Sequence, residues 1–179
     1  MNNHIGIGLV GLGTVGGAVA RLIQEKKGIW KNRYNIDVEL KRVGVADLGK
    51  PRFLANEMLV KGFSDVITDP GVDVVVELVG GVELPKKLII AAMKTGKHVI
   101  SANKALIAEC GDELLEIAHD CGVQLRFEAS VCGGIPIIKV IRESLGVNRI
   151  KSLTGIINGT TNYILTRMTE AGVSFENAL

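Results

Sequence analysis

The chain has 179 residues, enough for one ordinary domain or for one domain and part of another. Hydrophobic residues make up 47% and charged residues 22%, a composition that fills a core and argues against disorder. Lys and Arg total 21 against 19 Asp and Glu, the basic residues are scattered and aromatics are only 4%, so no nucleic-acid partner is expected. Cys110, Cys121 and Cys132 form no CxxC pair, and His4, His98 and His119 do not complete a zinc cluster with them. Reduced thiols in a cytoplasmic protein are the expectation. The start, MNNHIGIGLVGLG, has no positive region before its apolar run, and glycines interrupt that run. Neither a signal peptide nor a membrane span is expected.

Residues 4–10 alternate Ile5, Ile7 and Leu9 with Gly6, Gly8 and Val10, the pattern of a strand covered on both faces. Gly11-Leu12-Gly13-Thr14-Val15-Gly16 follows, a full GxGxxG. Behind it Val15, Ala18, Val19, Leu22 and Ile23 recur at helical spacing, which predicts an amphipathic helix ending near Gly28. Strand, glycine loop and helix in unbroken succession read as a dinucleotide fingerprint. Gly11 permits the tight turn, Gly13 lets backbone approach a pyrophosphate, and Gly16 lets helix and strand pack closely. The positive end of the helix then faces the phosphates. The alternative is a glycine-rich strand-to-helix turn that binds no ligand.

The second strand, residues 38–46, ends at Asp47. An acid there accepts from the adenine-ribose hydroxyl of NAD. Its distance from the fingerprint is long, and residues 28–37 read as an insertion that accounts for it. Glu39 has nearer spacing but lies at the wrong end of the strand. Lys50 and Arg52 could instead neutralise the extra phosphate of NADP. The balance favours NAD, with a helix N-cap or a solvated loop acid as the alternative role for Asp47.

Residues 72–79, VDVVVELV, read as a buried strand ending in Gly80-Gly81. Pro85 opens a helix that runs to Thr95 and stops at Gly96. Residues 98–101 are a short strand, a helix with Leu114, Leu115, Ile117 and Ala118 ends at Gly122, and residues 123–130 are the sixth strand. This alternation predicts a Rossmann-type α/β fold with a doubly wound, mostly parallel sheet. Gly11, Gly80 and Asn103 should then face one crevice at the carboxyl ends of the strands. Lys104, inside SANKALIA, could hold a substrate oxygen or act in proton transfer there, or it could be a solvated residue of a first helical turn. Cys132 before Gly133-Gly134 could be a nucleophilic thiolate, although no histidine lies near it in sequence, and a structural thiol is the simpler reading.

GLGTVG, SANKALIAE, FEASVCGGIPII and GIINGTTNYIL together resemble homoserine dehydrogenase through most of the chain. The resemblance implies interconversion of L-homoserine and L-aspartate 4-semialdehyde with NAD or NADP, in the route to threonine, methionine and isoleucine. It implies pyrophosphate contacts at Gly13, Thr14 and Val15, and an active-site lysine beside nicotinamide and substrate at Lys104. It further implies a monovalent-cation site, usually sodium, at Glu128, Val131, Gly133 and Ile135. Three main-chain carbonyls at i, i+2 and i+4 of a loop, with an oxygen of Glu128, make a hard-oxygen ligand set. Ala46 stands where many relatives carry an arginine that grips the NADP phosphate, which again favours NAD or dual use. The implied domains are a dinucleotide-binding domain over residues 1–132 and the incomplete start of an α+β substrate and dimerisation domain over 133–179, with a helix at 136–145 and a strand at 150–158. A homodimer or larger assembly is implied for the full-length protein. Because the family's second catalytic lysine and substrate-binding acids lie beyond Leu179, the chain reads as a fragment that binds cofactor only. A non-catalytic dinucleotide-sensing module and a thiol-dependent semialdehyde dehydrogenase using Cys132 are the alternatives.

Overall fold

The computed structural model describes residues 3–156 and 158–179. Strands β1 (His4–Val10), β2 (Asp37–Val45), β3 (Leu59–Lys61), β4 (Val74–Glu77), β5 (His98–Ser101) and β6 (Leu125–Arg126) form one sheet in the order β3-β2-β1-β4-β5-β6. Every neighbouring pair is parallel. The chain winds outward from β1 in one direction and from β4 in the other, so the doubly wound sheet expected from the sequence is present. Its winding direction reverses between β1 and β4, and that is where such sheets open a ligand crevice.

The period-two alternation of the strands divides the core in two. Val10, Val75, Val99 and Leu125 pack with helices α3 (Glu83–Lys94) and α4 (Lys104–Asp120) on one face, around Leu88, Met93 and Leu114. Ile7, Leu9, Leu40, Val43 and Val76 pack on the other face against Ala20 and Ile23 of α1 (Thr14–Tyr34). A short helix α2 (Ser64–Thr68), with Val66 and Ile67 buried, joins β3 to β4. Beside α1 the sheet is covered less completely. There Val15, Trp30, Tyr34, Val76 and Ile100 line an apolar trough of about 430 Å³.

Several local expectations change. Helix α1 does not end near Gly28 but continues to Tyr34, and Asn35, at φ 54, closes it by donating its N–H to the carbonyl of Lys31. The residues read as an insertion are therefore mostly further helical turns. Gly28 inside a helix costs about 1 kcal/mol relative to alanine, and the packing of Trp30 against the core beside β2 outweighs it. The inner face of α1 is Gly16, Ala20 and Ile23, whereas Val15, Ala18 and Leu22 are exposed. Gly16 and Ala20 face the sheet where the start of α1 lies close to β1, and the larger Ile23 is buried a turn further on. Pro85 sits in the first turn of α3 rather than opening it, and β6 is two residues long. Phe127 leaves the sheet, so Glu128 lies in a 3-10 turn, Glu128–Ser130, and not on a strand.

One compact unit of the chain ends at Ile138 and a second runs from Lys139 to Leu179. The helix expected at 136–145 is a short α segment, α5 (Ile137–Lys139), followed by a π turn, Val140–Ser144. In the second unit Asn158 caps α6 (Gly159–Ala171) by accepting the Thr161 N–H at 3.0 Å, and Gly172, at φ 62, ends it. Helix α7 (Phe175–Ala178) packs on α6, with Ile164 and Ala178 buried. Residues 150–156 form no strand, because the described residues of this unit offer no other strand to pair with them; Ile157 lies outside the described residues.

Near the amino ends of β1 and β2, the Glu39 carboxylate accepts from Lys41 Nζ at 2.6 Å and lies 3.0 Å from His4 Nε2. The hydrogen bond from Lys41 first, and then that with His4, holds the carboxyl at about 2 instead of 4.5. A depressed acid stabilises the fold above its unfolded value, and that contribution fades as pH falls from there through the folded value. The side chain is 41% exposed, so solvent screening limits the effect to about 1 kcal/mol or less. In urea unfolding the stability gap between the parent and Glu39→Gln should be full at about pH 6 and clearly smaller at about pH 3. An equal gap at both values would show that the ion pairs contribute nothing.

Candidate functional site

The turn after β1 contains three glycines with different constraints. Gly11 lies at φ +96, and a Cβ there would stand 2.5 Å from the Leu78 carbonyl oxygen. A Cβ on Gly16 would stand 1.9 Å from the carbonyl oxygen of Gly11. The fold itself requires glycine at both places. Gly13 differs: its φ of −80 and ψ of −156 suit any residue, and no atom lies within 4 Å of where its Cβ would be. Nothing among the described residues explains that glycine. Gly13 is also the N-cap of α1, with no side chain capping the helix and no acid in its first turn. The positive end of α1 is therefore left to whatever lies over the loop.

Two cavities flank this loop at the carboxyl ends of the strands. One, of about 310 Å³, is lined by Gly11, Leu12, Ala46, Asp47, Lys50 and Arg52, on the β2 side. The other, of about 380 Å³, is lined by Val15, Val79, Gly80, Asn103 and Lys104, on the side of β4 and β5. Gly13 and Thr14 border a further open cavity with Arg21, Arg52 and Phe53, in which the Arg21 guanidinium lies 4.6 Å from the Phe53 ring centre. The residues expected around a dinucleotide thus share one region. Gly11 faces the first flanking cavity, while Gly80 and Asn103 face the second.

Asp47 is exposed in the loop after β2, and its Oδ1 accepts the Gly49 N–H at 2.8 Å. No helix follows it, so it caps a turn and not a helix. Arg52 donates to the Lys50 carbonyl at 2.8 Å. An acid and two cations therefore line one pocket. Glu39 is remote from it, in the ion-pair cluster near the amino end of β2.

Lys104 is the first residue of α4 and is exposed. A cation there opposes the helix dipole by about 0.3–1 kcal/mol. Asn103 caps the same helix by accepting the Leu106 N–H at 3.2 Å.

The sequence reading passed over Glu77. This acid ends β4 and is 0% exposed. Its Oε1 accepts the Val79 N–H at 2.7 Å and its Oε2 accepts the Ser101 hydroxyl at 2.6 Å. Burial pushes its carboxyl above the ordinary value, and the bonds from Ser101, Val79 and Asn103 partly offset this. A lone acid in the apolar run VVVELV was the available signal, because a buried carboxyl needs partners.

Glu128 lies beside β5. Its Oε1 accepts the Ile138 N–H at 2.9 Å, and its carbonyl accepts the Val131 N–H at 3.3 Å. Cys132, at φ 46, and Gly134, at φ 83, fold the loop back, and the Ile135 carbonyl accepts the Ile137 N–H at 2.8 Å. The oxygens of Glu128, Val131, Gly133 and Ile135 are hard donors of the kind an alkali cation takes. No cluster of three His, Cys, Asp or Glu side chains among the described residues could hold a metal, so any cation here would rely on carbonyls. Cys132 is exposed and lines neither cavity beside the glycine loop. No helix among the described residues is long and apolar enough to cross a membrane.

Comparison with known proteins adds a family. The model described as "Homoserine dehydrogenase, NAD binding domain" matches residues 11–128, and that described as "Homoserine dehydrogenase" matches residues 136–179. Homoserine dehydrogenases of Synechocystis and Bacillus subtilis are 47% and 45% identical over 97% and 98% of this chain, which cover 40% and 41% of those proteins. The crystal structure of a homoserine dehydrogenase from Thiobacillus denitrificans superposes with a TM-score of 0.89 at 44% identity, over 98% of this chain and 41% of that one. A hyperthermophilic archaeal homoserine dehydrogenase in complex with NADPH gives a TM-score of 0.80 at 25% identity, over 98% of this chain and 59% of that one. The chain thus spans about two fifths of the length of the curated relatives it matches.

The openness around Gly13 yields a sharp expectation. Gly13→Val should leave the thermal midpoint nearly unchanged and abolish dinucleotide binding in a calorimetric titration. Gly16→Ala should lower the midpoint, because its Cβ meets backbone. Unchanged affinity in a folded Gly13→Val chain would remove the loop from the binding site.

Proposed function

The chain belongs to the homoserine dehydrogenase family, and from that premise we propose that it provides the cofactor-binding part of an enzyme interconverting L-homoserine and L-aspartate 4-semialdehyde. The observation that carries the reading is Gly13: a glycine that the fold does not need, at an uncapped helix start between two cavities. The adenosine end of the cofactor belongs in the cavity with Asp47, and the nicotinamide end in the cavity with Gly80 and Lys104. Thr14, Val15 and Gly16 open α1 beneath the pyrophosphate, with their N–H groups as donors. When bound, the nicotinamide supplies the hydride acceptor and donor.

Lys104 is the residue of this chain that we assign to the chemistry. At the mouth of the second cavity its ammonium can hold the substrate oxygen, and its amine can exchange the hydroxyl proton. Asp47 favours NAD by accepting from the ribose hydroxyl and repelling a phosphate, with Ala46 supplying no cation beside it. The oxygens of Glu128, Val131, Gly133 and Ile135 form the monovalent-cation site, and sodium is the ion we assign. Because the chain covers about two fifths of its relatives, homoserine oxidation, the pathway role and a homodimeric or larger assembly belong to the longer protein. A cytoplasmic setting follows from the substrate class and the free thiols.

Calorimetric titration tests the binding half. NADH should bind more tightly than NADPH, and sodium chloride should raise the affinity over choline chloride at equal ionic strength. Tighter NADPH binding would mean that Lys50 and Arg52 outweigh Asp47.

The catalytic half needs the longer protein, since the 179-residue chain should bind cofactor with little homoserine oxidation. In the longer protein Lys104→Ala should lower turnover by about a hundredfold or more. Lys104→Arg keeps the charge without a titratable amine. Near-normal turnover with arginine would restrict Lys104 to holding charge, and full activity with alanine would remove it from the site.

A further inference from the structure

We propose that Glu77 is a positioning residue for the nicotinamide end of the site, its buried carboxyl group joining the turn after β4 to the start of α4. The inference rests on the dinucleotide reading above and adds a residue to it. The connections are continuous. Glu77 takes the Val79 N–H on one side and the Ser101 hydroxyl on the other. Ser101 Oγ in turn accepts the Asn103 N–H at 3.1 Å. Asn103 Nδ2 returns across the gap to the carbonyls of Gly81 at 2.7 Å and Val79 at 3.3 Å, while its Oδ1 caps α4. Two loops from different strands are thereby tied into one wall, and Val79, Gly80, Asn103 and Lys104 of that wall line the second cavity.

Packing alone does not call for this arrangement. Val74, Val75 and Val76 precede Glu77, and Leu78 and Val79 follow, so an apolar residue would continue the core without desolvating a carboxyl. What a leucine could not do is accept from both loops at once. Without that acceptor, the Val79 amide and Ser101 hydroxyl lose their common partner, and of these side-chain hydrogen bonds only those of Asn103 still join the turn after β4 to the start of α4. Of this network only Val79 also lines the cavity assigned to the adenosine end, beside Gly11, Asp47 and Lys50, whereas Gly80 and Asn103 line only the second cavity. The effect of Glu77 should therefore fall mainly on one half of the cofactor.

That asymmetry is testable with two ligands. NADH and ADP-ribose share the adenosine and pyrophosphate, and only NADH carries nicotinamide. Glu77→Leu should weaken NADH binding by about tenfold or more, as expected for lost buried hydrogen bonds, and leave ADP-ribose within about twofold. Glu77→Gln keeps the size and one acceptor and should recover part of the loss. If the leucine variant does not fold, Ser101→Ala, which removes the middle of the network, should show the same selective loss. Equal weakening of both ligands in a folded variant, or of neither, overturns the positioning role. If the unmodified chain binds neither ligand, the cofactor reading itself fails and this inference with it. If it binds both with equal affinity, the nicotinamide makes no contact and only this inference fails.

Discussion

Helix α1 begins so close to the end of β1 that a Cβ on Gly16 would stand 1.9 Å from the carbonyl oxygen of Gly11. That approach determines most of the site. It brings the amino end of α1 to the mid-line of the sheet, between β2 on one side and β4 on the other. It leaves Gly13 on the outer rim of the turn, facing open space. It also requires a small residue where the inner face of α1 first meets β1, so Gly16 and then Ala20 are buried there while Val15 is 57% exposed. A dinucleotide bound over this turn would meet main-chain N–H groups and a helix dipole that has no side-chain cap and no acid in its first turn.

The fold was largely legible because its signals are local and redundant. Alternation in residues 4–10, the glycines after it and the apolar run before Gly80 each specify a strand or a turn without reference to distant residues. The errors arose where tertiary contacts outweigh local preference. Gly28 reads as a helix end, yet Trp30 and Asn35 carry the helix to Tyr34. Residues 123–130 read as a strand, yet the sheet edge pairs only Leu125 and Arg126 with β5. Residues 150–156 are extended in composition, but a strand exists only when another pairs with it.

The site was legible in proportion to how much of its chemistry lies in side chains. Gly13, Asp47 and Lys104 stood out because the spacing of the fingerprint, an acid closing the second strand and a lysine inside SANKALIA are each visible as residue types. A loop that offers main-chain carbonyls can be built from valine, glycine and isoleucine, so residues 128–135 carry almost no compositional trace apart from Glu128. Glu77 was missed for another reason. Its importance lies in partners 2 and 24 residues away, which only the folded sheet brings together.

The two ends of the sheet obey different rules. At the amino ends polar groups are neutralised by partners within the chain. Asp73 accepts the Gly6 N–H at 2.7 Å, and buried Lys97 donates to the carbonyls of Asp69 and Val72 at 2.8 and 2.6 Å. At the carboxyl ends the chain repeatedly departs from what local stability favours. Gly13 occupies an N-cap where serine or asparagine would add roughly a few tenths of a kcal/mol. Lys104 places a cation against a helix dipole, and Glu77 keeps a carboxyl group out of water. No single departure identifies a ligand. Their convergence on one end of one sheet points to a shared cause, because a fold under no other constraint would settle such conflicts independently at each position. A ligand that needs close backbone, a cation and a fixed wall in the same place accounts for all three.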